Sequence, residues 1–245
     1  MELNDTNIHG EYTALSKADL LRYLKDQNII VPARTQGRTS QHCERWGVFR
    51  LLATWANANY LSYPLRFVHR DKPDFLLRYN KKEVGIEFTE AVSQEMAETR
   101  ALAKRTGVKA TLPMDQFKRG TLKRTKAKRR ATIQDEPCGE GWKDDEPERE
   151  WAQWMMDCSL AKTEDFNKPG FKKCDENWLL IYDNLPLQLV QIEDIQDATE
   201  YLMVKLNSYW LKKNRYNGIL VETKNQLIEI SSGKWNRRAM VNLWT

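Results

Sequence analysis

The chain has 245 residues, which is enough for one domain with a sizeable core and appended segments. No apolar run approaches the length of about 18 residues that a membrane span needs, and the N-terminus lacks a basic-then-apolar signal. These features argue against a membrane protein and predict a cytoplasmic location. Four cysteines without CxxC spacing argue against structural zinc, and the net charge of +5 is unevenly distributed.

Residues 1–38 predict an N-terminal helical extension. Ser16 is suited to cap a helix whose apolar face contains Leu20 and Leu24, and Pro32 helps to end the segment. Two roles are open for such an element. It forms either a small nucleic-acid-binding module or a lid packed on the main core, and the second role is favoured.

The next predicted element is a long helix over residues 40–60, with Ser40 as its cap. Apolar residues recur at helical spacing from Trp46 onward. Glu44 is the acidic residue of this helix and lies in its first two turns. A strand over residues 65–68 follows and leads directly into the most informative part of the chain.

The segment from Pro73 to Glu90 predicts a β-hairpin with a polar tip. Asp74 opens its first apolar run. In the second run apolar and other residues alternate, so Glu87 and Thr89 lie on one face of the strand. A hairpin brings Asp74 near that face. Carboxylates this close resist joint ionisation unless a cation lies between them, which indicates a site for a hard divalent metal.

These residues resemble the motif of the PD-(D/E)XK phosphodiesterases, also called restriction-endonuclease-like nucleases. Pro73-Asp74 matches the first half of the motif, and Glu87-Phe88-Thr89 matches the second half except that threonine stands in place of lysine. The resemblance covers roughly residues 40–185. It implies an α/β fold in which helices flank a small mixed sheet.

The resemblance also implies a Mg²⁺ or Mn²⁺ ion held by Asp74, Glu87 and the main-chain carbonyl of Phe88. In the family, the helix before the first core strand often supplies a further metal-binding glutamate. Glu44 is expected in that role by resemblance. The alternative is a solvated glutamate that the helix dipole favours.

The motif lysine is expected to come from elsewhere in the chain, because its chemistry depends on a position in space. Some members of the superfamily carry it on the helix after the hairpin. Lys162 matches that placement, near the end of a helix predicted over residues 148–164; a favourable helix-end charge is the alternative. Lys81 and Lys82 at the hairpin tip are competitors, and Thr89 is suited to orient a water through its hydroxyl.

Two blocks of opposite charge lie between the hairpin and that helix. Residues 104–130 hold eleven lysines or arginines and one acid, and residues 135–150 hold eight acids and two bases. We therefore predict an exposed insertion over about residues 104–147. Its basic half suits a phosphate backbone, unless its acidic neighbour neutralises it. The residues assigned to nucleic-acid binding are Lys118, Arg119, Lys123, Arg124, Lys126, Lys128, Arg129 and Arg130.

The remaining chain predicts a buried strand over residues 177–182, a helix over 199–213, and strands over 219–221 and 226–230. The tail after residue 234 is rich in tryptophan and arginine. These residues either pack on the core or assist binding, and the sequence favours neither role.

The sequence therefore predicts a PD-(D/E)XK-like domain over residues 39–245 that acts as a metal-dependent nuclease. DNA is the expected substrate over RNA. Small nucleases of this kind resemble products of bacteria, phages or mobile elements, with roles in defence, restriction or genome processing. Two alternatives are a catalytically silent nucleic-acid-binding or assembly subunit and a protein-interaction adaptor. A protein partner or a homodimer is compatible with each of these roles.

Overall fold

The computed structural model describes most of the chain. Its described residues are 10–33, 36–109, 112, 114–120, 122–134, 141–185, 187 and 192–244. The first part of the predicted acidic block, residues 135–140, lies outside them.

The strands form one eight-stranded sheet in which each strand neighbours the next one along the chain. The first four strands pair antiparallel in sequence, the fifth and sixth are parallel, and the last three are antiparallel. The strands are β1 (Glu11–Ala14), β2 (Leu65–His69), β3 (Phe75–Tyr79), β4 (Lys82–Ala91), β5 (Glu176–Asp183), β6 (Gly218–Thr223), β7 (Gln226–Ser231) and β8 (Lys234–Ala239).

Helices lie between these strands, so the α/β class predicted from the sequence is confirmed. Within the described ranges they are α1 (Lys17–Asp26), α2 (Ser40–Asn57), α3 (Gln94–Thr106), α4 (Lys126–Gln134), α5 (Glu146–Phe166) and α6 (Ile192–Trp210), with a short 3₁₀ helix at Met114–Phe117. No described helix is both long and apolar enough to cross a membrane.

The chain divides into two compact units. Unit 1 comprises residues 1–90, 159–182 and 209–245, and unit 2 comprises residues 91–158 and 183–208. The described part of the N-terminal segment belongs to unit 1 and shares its core. Leu20 and Leu24 of α1 are fully buried in the same apolar cluster as α2.

The N-terminal segment also contributes a strand that the sequence analysis did not predict. β1 pairs with β2, with Tyr12 opposite Phe67. Its four residues are too short a stretch to carry a recognisable alternation. Ser16 caps α1 as predicted, accepting a hydrogen bond from the Asp19 amide. The predicted cap of α2 is wrong by one residue, since Thr39 precedes the first helical residue.

The predicted hairpin is present as β3 and β4. Its two-residue turn, Asn80 and Lys81, has positive φ at both positions, which suits the right-handed twist of the paired strands. Val84, Ile86 and Phe88 of β4 point into the core of unit 1. The ring of Phe88 lies so close to α2 that a Cβ on Gly47 would stand 2.5 Å from it.

Unit 2 contains the predicted insertion, and part of that insertion is packed. Ile133 of α4 is buried with Leu102 and Ala103 of α3, and Phe117 is also buried. The prediction of an exposed insertion followed from its charge pattern and did not consider these apolar residues. They give the basic segment a small core of its own.

Candidate active site

Asp74 lies just before β3 and is held against β4. Its carboxylate oxygen Oδ2 accepts the backbone N–H of Phe88 at 2.7 Å. Gly85 permits this approach, because a Cβ at that position would stand 2.9 Å from Cγ of Pro73. Local packing therefore fixes the Asp74 carboxylate beside the strand that carries Glu87.

Glu87 is buried, with 5% of its surface exposed. Its oxygen Oε1 accepts a hydrogen bond from Nζ of Lys162 at 2.8 Å. Its other oxygen, Oε2, is buried and has no hydrogen-bond partner among the described residues. Glu87 is thus half satisfied, and a buried carboxylate oxygen without a partner is costly.

Lys162 reaches Glu87 from the part of α5 that belongs to unit 1. Tyr216 donates a hydrogen bond from its hydroxyl to the Lys162 carbonyl oxygen at 3.3 Å, which fixes this turn of the helix. Burial works against the ammonium charge, but the charge of Glu87, its hydrogen bond and the charge of Asp74 outweigh it and raise the Lys162 pKa. Lys162 is therefore a cation.

The acidic groups are strongly coupled to one another. Burial, followed by the negative charges of Glu87 and Glu44, raises the pKa of Asp74 to about 8, although the Phe88 amide and Lys162 oppose the shift. Burial also raises the pKa of Glu87 in spite of Lys162. The carboxylates therefore resist ionising together near neutral pH, because burial and their mutual repulsion outweigh the positive charge of Lys162.

Glu44 of α2 adds its negative charge to the acidic cluster and also contacts a histidine that the sequence analysis missed. Oε2 of Glu44 lies 2.9 Å from Nε2 of His69, and the His69 ring stacks on Phe75 with centroids 4.5 Å apart. The other ring nitrogen, Nδ1, is buried without a partner in the described part of the chain. The available sequence signal was its place at the end of β2, shortly before Asp74.

The remaining predicted site residues lie outside these contacts. Thr89 is partly exposed, and its hydroxyl has no hydrogen bond among the described residues. Lys81 is exposed in the hairpin turn, and Lys82 binds Glu176 at 2.5 Å. The described residues contain no group of three or more His, Cys, Asp or Glu arranged to hold a metal ion. Asp74 and Glu87 are nevertheless close enough for the charge of Glu87 to raise the pKa of Asp74.

Most of the predicted nucleic-acid-binding residues already have partners within unit 2. Arg129 pairs with Glu95 at 2.7 Å and with Glu98 at 2.6 Å. Arg124 donates to the Gln116 carbonyl oxygen at 2.9 Å. The other pairs are Lys118–Glu146 at 3.1 Å, Lys123–Glu98 at 3.6 Å and Arg119–Asp157.

Three of the predicted basic residues differ from the rest. Lys126, Lys128 and Arg130 of α4 are exposed and form no ion pair with any described residue. The partners of the other basic residues come mainly from α3 and α5. Neutralisation within the chain is thus partial, and three exposed cations are left on one short helix.

Comparisons with known proteins give no independent indication of family. No family model matches the chain, and no curated protein or solved structure is detectably similar to it.

Proposed function

We propose that this protein is a divalent-metal-dependent nuclease, a DNA endonuclease built on a restriction-endonuclease-like core. The observation that carries the proposal is the contact between Lys162 and Glu87 beside the Asp74 carboxylate. It combines two carboxylates with a cation, which is the set of groups that the PD-(D/E)XK motif supplies. Lys162 takes the place that Thr89 leaves vacant in the motif.

Asp74 and Glu87 would hold Mg²⁺ or Mn²⁺, with the Phe88 carbonyl as a further oxygen ligand and Glu44 in support. Two observations favour this fit. Oε2 of Glu87 has no hydrogen-bond partner among the described residues, and burial together with the charges of Glu87 and Glu44 raises the pKa of Asp74. When bound, such an ion lowers the pKa of a coordinated water and stabilises negative charge at the phosphate. Hard oxygen ligands of this kind suit Mg²⁺ and Mn²⁺.

Lys162 would act on the phosphate or on the attacking water. Its ammonium has three donors, and one is used by Glu87. The others remain to orient a water or to offset the charge that develops on a phosphate oxygen. The hydrogen bond from Tyr216 to the Lys162 backbone would hold the ammonium in place for this role.

The helix α4 would contact the nucleic-acid backbone through Lys126, Lys128 and Arg130. Contacts to phosphates position a duplex or strand but carry no sequence information. This interaction is therefore expected to depend on salt and to be indifferent to base sequence.

A catalytically silent nucleic-acid-binding subunit is the second candidate. It is favoured by the fact that Glu87 is already paired with Lys162. A buried ion pair of this type also occurs as a purely structural feature. Such a protein would bind nucleic acid without cutting it in any divalent metal.

Cleavage of supercoiled plasmid tests the proposal and separates the two candidates. The wild-type protein should nick or linearise plasmid with Mg²⁺ or Mn²⁺ but not with EDTA. Glu87→Gln and Lys162→Met should each lower the rate by about 100-fold or more, as for loss of other groups that stabilise transition-state charge. Glu83→Gln is the matched control, because Glu83 lies on the same strand in partly exposed pairs with Arg78 and Lys172.

The possible outcomes of this experiment distinguish the two candidate functions. Metal-dependent cleavage that is lost in Glu87→Gln and kept in Glu83→Gln supports the nuclease. Binding without cleavage by the wild-type protein would support the silent subunit. Cleavage at the wild-type rate by Glu87→Gln would exclude the proposed site.

A further inference from the structure

Unit 1 contains a half-open cavity that takes no part in the candidate active site. Its volume is about 480 Å³, and it lies at the end of α2 and along β3, β4, β5, β7 and β8. The shared feature of its lining is aromatic. Five rings contribute to the walls: Trp55, Tyr60, Tyr79, Trp178 and Trp235.

Two of these rings are fixed in orientation by carboxylates. The indole N–H of Trp55 donates to Glu229 at 2.9 Å, and that of Trp178 donates to Glu176 at 3.2 Å. The two indoles meet edge to face with centroids 5.9 Å apart. The apolar walls are therefore held in place, and little ordering is left for a ligand to impose.

The charges of the cavity argue against a cationic ligand. Glu176 is paired with Lys82 at 2.5 Å, and Glu229 is paired with Arg238 at 2.8 Å. The charge of each carboxylate is thus compensated from within the protein, which weakens its attraction for a ligand cation, while its oxygens can still accept a further hydrogen bond. Lys234 is exposed at the rim and has no ion pair among the described residues. The lining favours a neutral planar group attached to an anion.

We propose that this cavity binds an unpaired nucleobase of a nucleic-acid chain. A base has an aromatic face that stacks on indole and phenol rings, and its exocyclic amino group is a donor that Glu176 or Glu229 can accept. Lys234 would meet the adjacent phosphate. The inference rests on the proposed function, and it adds that the substrate presents a base that is not paired.

The test uses the full chain in EDTA, so that binding is measured without cleavage. The probes are a fluorescein-labelled single strand of about 12 nucleotides and a strand of equal length with abasic internal positions. The wild-type protein should bind the base-bearing strand about 10-fold more tightly than the abasic strand, a preference within the range that stacking of one base gives. Trp235→Ala should abolish the preference, and Trp235→Phe should keep most of it.

Trp235 is suited to substitution because it is only partly buried on β8, an edge strand. Unchanged affinity of Trp235→Ala for the abasic strand reports that the variant is folded. If that variant does not fold, the wild-type tryptophan fluorescence provides a second measurement. The base-bearing strand should quench this fluorescence and the abasic strand should not, because only a base can stack on the indole rings. Equal affinity of the wild-type protein for both strands, or quenching by choline chloride in their place, would overturn the proposal.

Failure of this proposal and failure of the nuclease proposal give different results. Plasmid cleavage in Mg²⁺ with no preference for base-bearing strands removes the base site and keeps the nuclease. A base preference that Trp235→Ala abolishes, in a protein that cuts no substrate in any divalent metal, keeps the base site and removes the nuclease.

Discussion

At the scale of single residues, unsatisfied polar atoms occur within the carboxylate cluster. Oε2 of Glu87 and Nδ1 of His69 are both buried without partners among the described residues. Each such atom costs on the order of 1–3 kcal/mol of stability. Folding alone gives no reason to keep them, since an apolar side chain of similar shape would be cheaper. Local conflicts of this kind are expected at functional sites, where stability is given up for chemistry.

The free-energy cost of ionising Asp74 within this cluster is measurable through the pH dependence of stability. The pKa of Asp74 is about 8 in the folded protein, against about 3.9 for an unfolded chain. Between these values the folded state binds the extra proton, so stability falls as pH rises through this window. In EDTA, the free energy of unfolding should decrease by about 1–2 kcal/mol between pH 6 and pH 8, within the limit of about 1.4 kcal/mol per pH unit for one proton.

Urea unfolding of wild type and Asp74→Asn across this pH range isolates the contribution of Asp74. Glu222 also has a raised pKa, at about 7, so the wild-type slope alone is not specific. The slope should be shallower in Asp74→Asn, and Mn²⁺ should stabilise the wild-type protein most at the alkaline end. Identical slopes in the two proteins would mean that Asp74 is already ionised when the metal-free protein is folded.

At the scale of elements, the sequence predicts local structure, such as the hairpin, but not contacts between distant residues. The hairpin follows from the alternation of Val84, Ile86 and Phe88 and from its polar turn, all within one short stretch. His69 as a partner of Glu44 was missed because the two residues are 25 positions apart and nothing in either strand or helix periodicity links them. Lys162 was selected by family resemblance, since its 75-residue separation from Glu87 carries no pattern.

The contact between α2 and β6 is another example of a distant pair that the sequence does not predict. Arg50 and Glu222 form a buried ion pair across 172 residues of sequence. The Arg50 guanidinium also donates to Asn225 at 3.1 Å and lies 4.3 Å from the Trp46 ring. From the local sequence alone, a charged residue among apolar helix residues is expected to be exposed to solvent. Only the fold reveals that it meets a carboxylate on the opposite element.

Replacing one residue of that pair should destabilise the protein strongly, whereas replacing both residues should destabilise it much less. Arg50→Met leaves Glu222 buried without its counter-charge and should lower the free energy of unfolding by about 3–5 kcal/mol. Arg50→Met combined with Glu222→Leu should recover a large part of that loss, because no unpaired charge remains. Denaturant unfolding measures both, with Arg45→Met on the same helix as the partly exposed control. A double variant no more stable than Arg50→Met would show that the pair is not coupled as described.

At the scale of the whole molecule, the charge that matters is smaller than the composition indicates. The basic block has eleven cations, but Arg129 is only 12% exposed between Glu95 and Glu98 and is committed to packing. The exposed pairs, such as Lys118 with Glu146, are weak and can give way to phosphates. Lys126 and Lys128 lie in the first turn of α4, where the helix dipole adds to their attraction for an anion.

This distribution predicts which basic residues set the salt dependence of nucleic-acid binding. The combined substitutions Lys126→Gln, Lys128→Gln and Arg130→Gln should reduce the slope of log affinity against log salt by about 2–3, since each phosphate contact contributes about 0.9. Arg129→Gln is the matched control. It should leave the slope nearly unchanged but lower thermal stability, because Glu95 and Glu98 lose their shared partner. Fluorescence anisotropy over a salt series in EDTA measures both slopes. If Arg129→Gln flattens the slope and the triple variant does not, nucleic acid displaces the internal ion pairs, and the exposed face of α4 is not the contact surface.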